Sequence, residues 1–220
     1  MKNLSGIRRL GIVGGTFNPI HLGHLRSAEE VREAFDLQRV IFIVSAVPPH
    51  KTPEGIIDTR HRYTMVRRAL KGNPTFDASD LEIDRKGKSY TVDTLSYFRR
   101  RLGAEADIFF VLGLDAFSEI GTWKDYDRLF ELADFVVTDR PTSTSMEPGW
   151  SIPPEISELF SPGPENSFVH AGGKRLFFYN ITGLDISATR IRGLVREGRS
   201  IRYLVPEAVS RYIQQKGLYR

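Results

Sequence analysis

The sequence predicts an α/β protein built on a mostly parallel, doubly wound sheet with helices on both faces. Three observations predict it. Short β-branched and aromatic runs alternate with amphipathic stretches along most of the 220 residues. Runs such as Val40-Ile41-Phe42-Ile43-Val44 are apolar throughout, as strands covered on both faces are. The first run ends in a glycine pair and is followed at once by a helical pattern, the layout of a βα unit.

Taken in order, Ile7–Val13 reads as a buried first strand that ends at Gly14-Gly15. Leu22, Leu25, Ala28, Val31 and Ala34/Phe35 then recur at helical steps and mark one apolar stripe. Val40–Val44 is a second strand, Arg60–Leu70 a helix and Phe76–Ile83 an extended stretch. A helix runs from about Thr91 to Leu102, and its Arg99-Arg100-Arg101 reads as a solvated end near the negative pole. Ile108–Leu112 is a strand, Asp125–Ala133 a helix and Phe135–Thr138 a strand. Arg175–Asn180 is the last strand, with helices around Thr189–Glu197 and Pro206–Lys216 and Gly217 as C-cap. Right-handed crossovers arrange such an alternation in Rossmann-like layers, in which ligands bind beyond the carboxyl ends of the strands.

Residues 1–220 are expected to form one domain, with 187–220 as its C-terminal helices. The exception to the regular pattern is 141–174, where Pro141, Pro148, Pro153, Pro154, Pro162 and Pro164 sit among Ser, Thr and Gly. Such a stretch reads as a functional loop, an insertion or a mobile segment, with a short helical turn at Ile156–Phe160.

Composition excludes several classes. There is no cysteine, hence no disulfide scaffold, thiolate zinc site, iron–sulfur cluster or cysteine nucleophile. No apolar run approaches the ~20 residues of a spanning helix. Leu10-Gly11-Ile12-Val13 is too short for an export core, so a cytoplasmic location away from membranes is expected. The 31 Lys and Arg exceed the 27 Asp and Glu by only four, and no aromatic-and-basic platform suggests a nucleic-acid partner. The oligomeric state, monomer or homo-oligomer, is open.

The most informative segment is Gly14-Gly15-Thr16-Phe17-Asn18-Pro19-Ile20-His21-Leu22-Gly23-His24, at the first strand exit. The glycines permit positive φ and close ligand approach, and Pro19 suits the first helical turn. His21 and His24 are three apart, so both imidazoles lie on one helix face. Two such donors at a helix N-terminus make an anion site. No third metal ligand has a recognisable spacing here, so no protein metal site is expected. A second segment, Ile186-Ser187-Ala188-Thr189-Arg190-Ile191-Arg192, lies between a strand and a helix. There Ser187 or Thr189 can cap the helix, and Arg192 can add a fixed positive fork.

These two segments resemble the paired signatures of the nucleotidylyltransferase superfamily, HxGH and ISSTxIR. Further segments are similar to the nicotinate mononucleotide adenylyltransferase family: Pro48-Pro49-His50-Lys51, Ser89-Tyr90-Thr91-Val92-Asp93-Thr94-Leu95, Gly113-Leu114-Asp115, Trp123 and Arg140-Pro141. The resemblance implies transfer of AMP from ATP, carried with Mg²⁺, to nicotinate mononucleotide, in NAD biosynthesis. It implies phosphate contacts for His21, His24, Lys51 and Arg192. It places Gly14, Gly15, Thr16, Phe17, Gly113, Asp115, Ile186, Ser187 and Thr189 around ATP, and Lys51, Tyr90, Thr91, Trp123 and Arg140 around the mononucleotide. Ser89 and the threonines after it read as N-caps. Asn18, Ala188, Leu114 and Lys124 depart from the usual aspartate, serine, alanine and tyrosine. The rival readings are an adenylyltransferase for another acceptor, nicotinamide mononucleotide or phosphopantetheine, and a nucleotide-binding regulator without chemistry. Trp123 with Ser89–Leu95 argues against phosphopantetheine, and the retained histidines argue against the regulator.

Overall fold

The computed structural model describes residues 4–47, 55–85, 87–139, 151–164 and 167–220. Strand β1 (Arg9–Gly15) leads into helix α1 (Leu22–Ala34), and β2 (Arg39–Val44) into α2 (Thr59–Ala69). Then come β3 (Phe76–Ser79), α3 (Leu81–Arg85), α4 (Thr91–Leu102) and β4 (Asp107–Gly113). After α5 (Leu114–Ser118) and α6 (Tyr126–Leu132) the chain forms β5 (Asp134–Asp139), α7 (Pro154–Ser157), β6 (Phe160–Pro162) and β7 (Ser167–His170). Strand β8 (Arg175–Asn180) and helices α8 (Ala188–Arg196) and α9 (Glu207–Lys216) complete it.

The strands form one eight-stranded sheet in the order β3-β2-β1-β4-β5-β8-β7-β6. From β3 to β8 every pairing is parallel, and β7 and β6 extend the edge antiparallel. The predicted α/β architecture therefore stands. Alternation along each strand supplies two cores. Val40, Phe42, Val44, Phe109 and Val111 face α1, α2, α8 and α9, meeting Val31, Met65, Ile191 and Ile213. Ile41, Ile43, Ile108, Phe110 and Leu112 face the other way, meeting Leu95 and Phe98 of α4 and Leu129 and Phe130 of α6. Each such fully buried side chain contributes about 1.5–3 kcal/mol. Strand order reverses at β1/β4, so their carboxyl ends open a crevice for a ligand. No helix among the described residues is long and apolar enough to cross a membrane.

Three expectations need correction. The extended stretch expected over Phe76–Ile83 ends at Ser79, whose hydroxyl accepts the Leu81 N–H at 3.2 Å and turns the chain into α3. The expected loop over 141–174 contains α7, β6 and β7. Pro154, with its φ preset at the helix start, begins the helical turn two residues before Ile156. Finally, Arg99 is not a solvated helix end. Its guanidinium donates to Leu132 O at 2.7 Å and to Ala106 O at 2.7 Å, with Gly103 O at 3.0 Å. It thus joins the carbonyl-rich ends of α4 and α6, and burial pushes its pKa down. Replacing Arg99 by Met should cost about 1–3 kcal/mol, because these carbonyls lose their donors. Urea denaturation of Arg99→Met beside Arg100→Met checks this, since Arg100 is exposed and its loss should be nearly neutral.

Candidate active site

The end of β1 carries glycine for reasons of space rather than backbone freedom. Neither Gly14 nor Gly15 has the positive φ expected of a turn; in this stretch that conformation falls to Phe17, at φ +46°. A Cβ on Gly15 would stand 2.8 Å from the Phe17 ring, and one on Gly14 would stand 3.4 Å from Phe110. Pro19 lies before the first helical turn, not in it, because α1 begins at Leu22 with His21 as N-cap. The capping group explains that boundary: the His21 N–H donates to His24 Nδ1 at 3.2 Å.

The two imidazoles share a face as their spacing predicts. Their rings stack with centroids 3.6 Å apart, and Phe17 meets His24 edge-on at 5.2 Å. Gly23 makes the stack possible, since a Cβ there would approach His21 Nδ1 to 3.1 Å. With Nδ1 of His24 accepting a hydrogen bond, the proton of the neutral ring is assigned to Nε2, which becomes a donor. The helix N-terminus contributes less than expected, because the Leu22 N–H is already taken by Leu204 O at 3.0 Å.

The second motif packs directly on the first. Ser187 caps α8 and accepts the Arg190 N–H at 3.2 Å. Arg192 donates to Asn18 O at 2.9 Å and to Thr189 Oγ1 at 3.2 Å, a contact that bridges 174 positions of sequence. Donors thus converge from α1 and α8 on one side of the crevice.

On the other side lies a cleft of about 280 Å³, entered past Gly14–Thr16 and lined by Tyr90, Thr91, Trp123 and Gly113. Trp123 is half-buried and meets Phe110 edge-on at 6.2 Å. Tyr90 is the N-cap of α4 but caps it with no side-chain hydrogen bond. Ser89, expected as a cap, instead accepts the Ala46 N–H at 2.8 Å and so ties α4 to the end of β2. Lys124 Nζ stands 4.8 Å over the Tyr90 ring and 3.7 Å from Asp93. Asp115 is exposed in the first turn of α5, outside the cleft lining. Lys51, with Pro48–His50, and Arg140 lie outside the described residues.

The cytidylyltransferase-like family model matches residues 12–194. A protein of Desulfatibacillum aliphaticivorans named "Probable nicotinate-nucleotide adenylyltransferase" is 46% identical over 217 residues, covering 96% of this chain and 99% of the relative. One of the same name from Syntrophotalea carbinolica is 48% identical over 214 residues, covering 96% and 97%. This chain belongs to the nicotinate-nucleotide adenylyltransferase family. The fold agrees: the Plasmodium falciparum nicotinic acid mononucleotide adenylyltransferase complexed with NaAD aligns at TM-score 0.72, with 18% identity and 96% and 97% of the two chains covered.

Within this family pattern, the asparagine at position 18 has a structural explanation. Its Nδ2 donates to Gly55 O at 2.8 Å, which a carboxylate cannot do, and its Oδ1 accepts the Tyr219 hydroxyl at 2.9 Å. Arg62 was not singled out by sequence reasoning and is 1% exposed. It donates to Thr16 O at 2.7 Å, Ser45 O at 2.8 Å, Ala46 O at 3.1 Å and Ile57 O at 3.1 Å. Burial pushes its pKa down. Ala188 opens α8 without any contact that explains the loss of a hydroxyl.

Tyr219 supplies a pH-dependent test of this network. Burial pushes its phenol well above the ordinary value near 10, so the native state holds the proton after the unfolded state has lost it. Its contribution is therefore complete below pH ~10 and declines above that as the unfolded phenol ionises. Tyr219→Phe should be less stable than the parent by about 1 kcal/mol at pH 8, and the gap should close or reverse by pH 11. Denaturant titrations of both proteins at the two pH values check this.

Proposed function

We propose that this chain transfers AMP from ATP to nicotinate mononucleotide, giving nicotinate adenine dinucleotide and pyrophosphate, and so serves NAD biosynthesis. The observation that carries this reading is the stacked His21–His24 pair joined to the α8 motif through Arg192 and Asn18, beside an aromatic-walled cleft. Family membership supports it.

In this reading an oxygen of the mononucleotide phosphate attacks the α-phosphorus of ATP in line. The new P–O bond forms as the bond to the β-phosphate bridging oxygen breaks, and pyrophosphate leaves with that electron pair. The nucleophile is already an anion, so the protein's work is positioning and charge stabilisation rather than proton removal. His24 donates from Nε2 to a phosphate oxygen, and His21, stacked on it, supports the same group. Arg192 is held by Asn18 and Thr189, so its charge is fixed before substrate arrives. Lys51 and Arg140 add positive charge around the phosphates. Adenosine packs among Gly14, Gly15, Thr16, Phe17, Gly113, Asp115, Ile186, Ser187 and Thr189, while Tyr90, Thr91 and Trp123 hold the pyridine ring. In this reading Mg²⁺ comes with ATP as part of the substrate. The chemistry is that of the cytoplasm, and no nucleic-acid or membrane partner is required.

The reading is tested by following pyrophosphate with ATP-Mg²⁺ and nicotinate mononucleotide, nicotinamide mononucleotide or phosphopantetheine in turn. Turnover is expected with the pyridine mononucleotide, and a response confined to phosphopantetheine would overturn the assignment. His24→Ala should lower kcat by ~10²–10³ while the protein still folds, the lost cap of α1 costing about 1 kcal/mol. Near-normal turnover in that variant would remove the histidines from the mechanism.

A further inference from the structure

Glu82 is a buried carboxyl group in the cleft that the reaction scheme leaves unused. It sits on the short helix α3 and is 7% exposed, yet it lines the same cleft as Tyr90 and Trp123. Its Oε1 accepts the Thr94 hydroxyl at 2.6 Å. Its Oε2 is buried with no hydrogen-bond partner among the described residues. Arg85 donates to Thr94 Oγ1 at 3.5 Å, one hydroxyl away from the carboxylate, and among the described residues no cationic side chain forms a direct ion pair with Glu82. A carboxylate taken out of water without a direct ion-pair partner is expensive, so a cation entering the cleft beside Glu82 would relieve that cost.

The mononucleotide brings such a charge. A pyridine bonded through nitrogen to ribose is a pyridinium, a flat cation with no N–H to donate. It needs an aromatic face and a nearby anion rather than a hydrogen-bond acceptor. The cleft has both in Trp123 and Glu82. In the same lining Lys124 places a positive charge above Tyr90.

We propose that Glu82 is the counter-charge of the pyridinium ring, selecting a cationic heterocycle over a neutral aromatic of the same shape. This inference rests on the mononucleotide reading above and adds a specificity-determining residue to it.

The test uses two isosteres that differ only in ring charge, 1-methylpyridinium-3-carboxylate and 3-methylbenzoate, as inhibitors competing with nicotinate mononucleotide. The parent protein should bind the pyridinium at least roughly tenfold more tightly. Trp123 alone favours a cation, so the deciding measurement is the same ratio in Glu82→Gln, which should fall towards one. The KM for the mononucleotide should rise there while the KM for ATP stays in place. Should Glu82→Gln not fold, Glu82→Asp keeps the charge but withdraws it by one methylene, and the ratio should fall part of the way. A ratio near one in the parent, or a parental ratio in either folded variant, overturns the role of Glu82. Those outcomes are distinct from failure of the parent to form nicotinate adenine dinucleotide at all, which overturns the reading beneath it.

Discussion

The geometry of the site depends on one guanidinium. Arg62 rises from α2 beneath the carboxyl ends of β1 and β2, where it donates to carbonyls of Thr16, Ser45, Ala46 and Ile57 and to the Thr59 hydroxyl. A β-strand ends by leaving its last carbonyls without a ladder, and at a parallel sheet's carboxyl edge several such ends meet. Water satisfies them in most loops, but here the edge must stay bare for a ligand. One planar group with a fixed fork of donors answers several carbonyls together. It thereby sets the spacing between the β1 turn, which carries the histidines, and the β2 end, which borders the cleft.

Built on that spacing, the crevice divides its polarity. The His21–His24 and α8 side offers donors: an imidazole N–H, an arginine fork held by Asn18, and the capped start of a helix. The cleft side offers aromatic faces and a buried acceptor. The sequence segments behind the two sides are far apart, yet Gly15 and Thr16 border both. Glycine at position 15 keeps that border open, since any side chain there would meet Phe17.

The parallel sheet was legible because its strands are continuous apolar runs, such as Val40–Val44, whose alternating residues feed both cores. The site motifs were legible because their side chains act on near neighbours: His21 on His24, and Ser187 on Arg190. Helix α3 was not, since five residues cannot display a 3.6-residue period. Strands β6 and β7 escaped because Pro162 and Pro164 interrupt any pattern, and their pairing is decided by the open edge of β8. The roles of Arg62 and Tyr219 lie in partners 46 and 201 positions away. Nothing in the residues around them signals such partners. At the glycine pair the expected positive φ is absent, the left-handed residue being Phe17, and what the pair supplies is clearance.

The hydrogen bond from Tyr219 to Asn18 has a bearing on synthesis. A polypeptide emerging from the ribosome can pair β1 with β2 and bury their shared faces long before residue 219 has been added. Asn18, whose backbone oxygen receives Arg192 and whose amide meets Tyr219, waits for both. Closing so large a loop carries an entropic cost that grows only slowly with length, so the delay is one of order, not of affinity. The contacts that join Asn18 to α8 and to the last residues of the chain are therefore among the last to be completed.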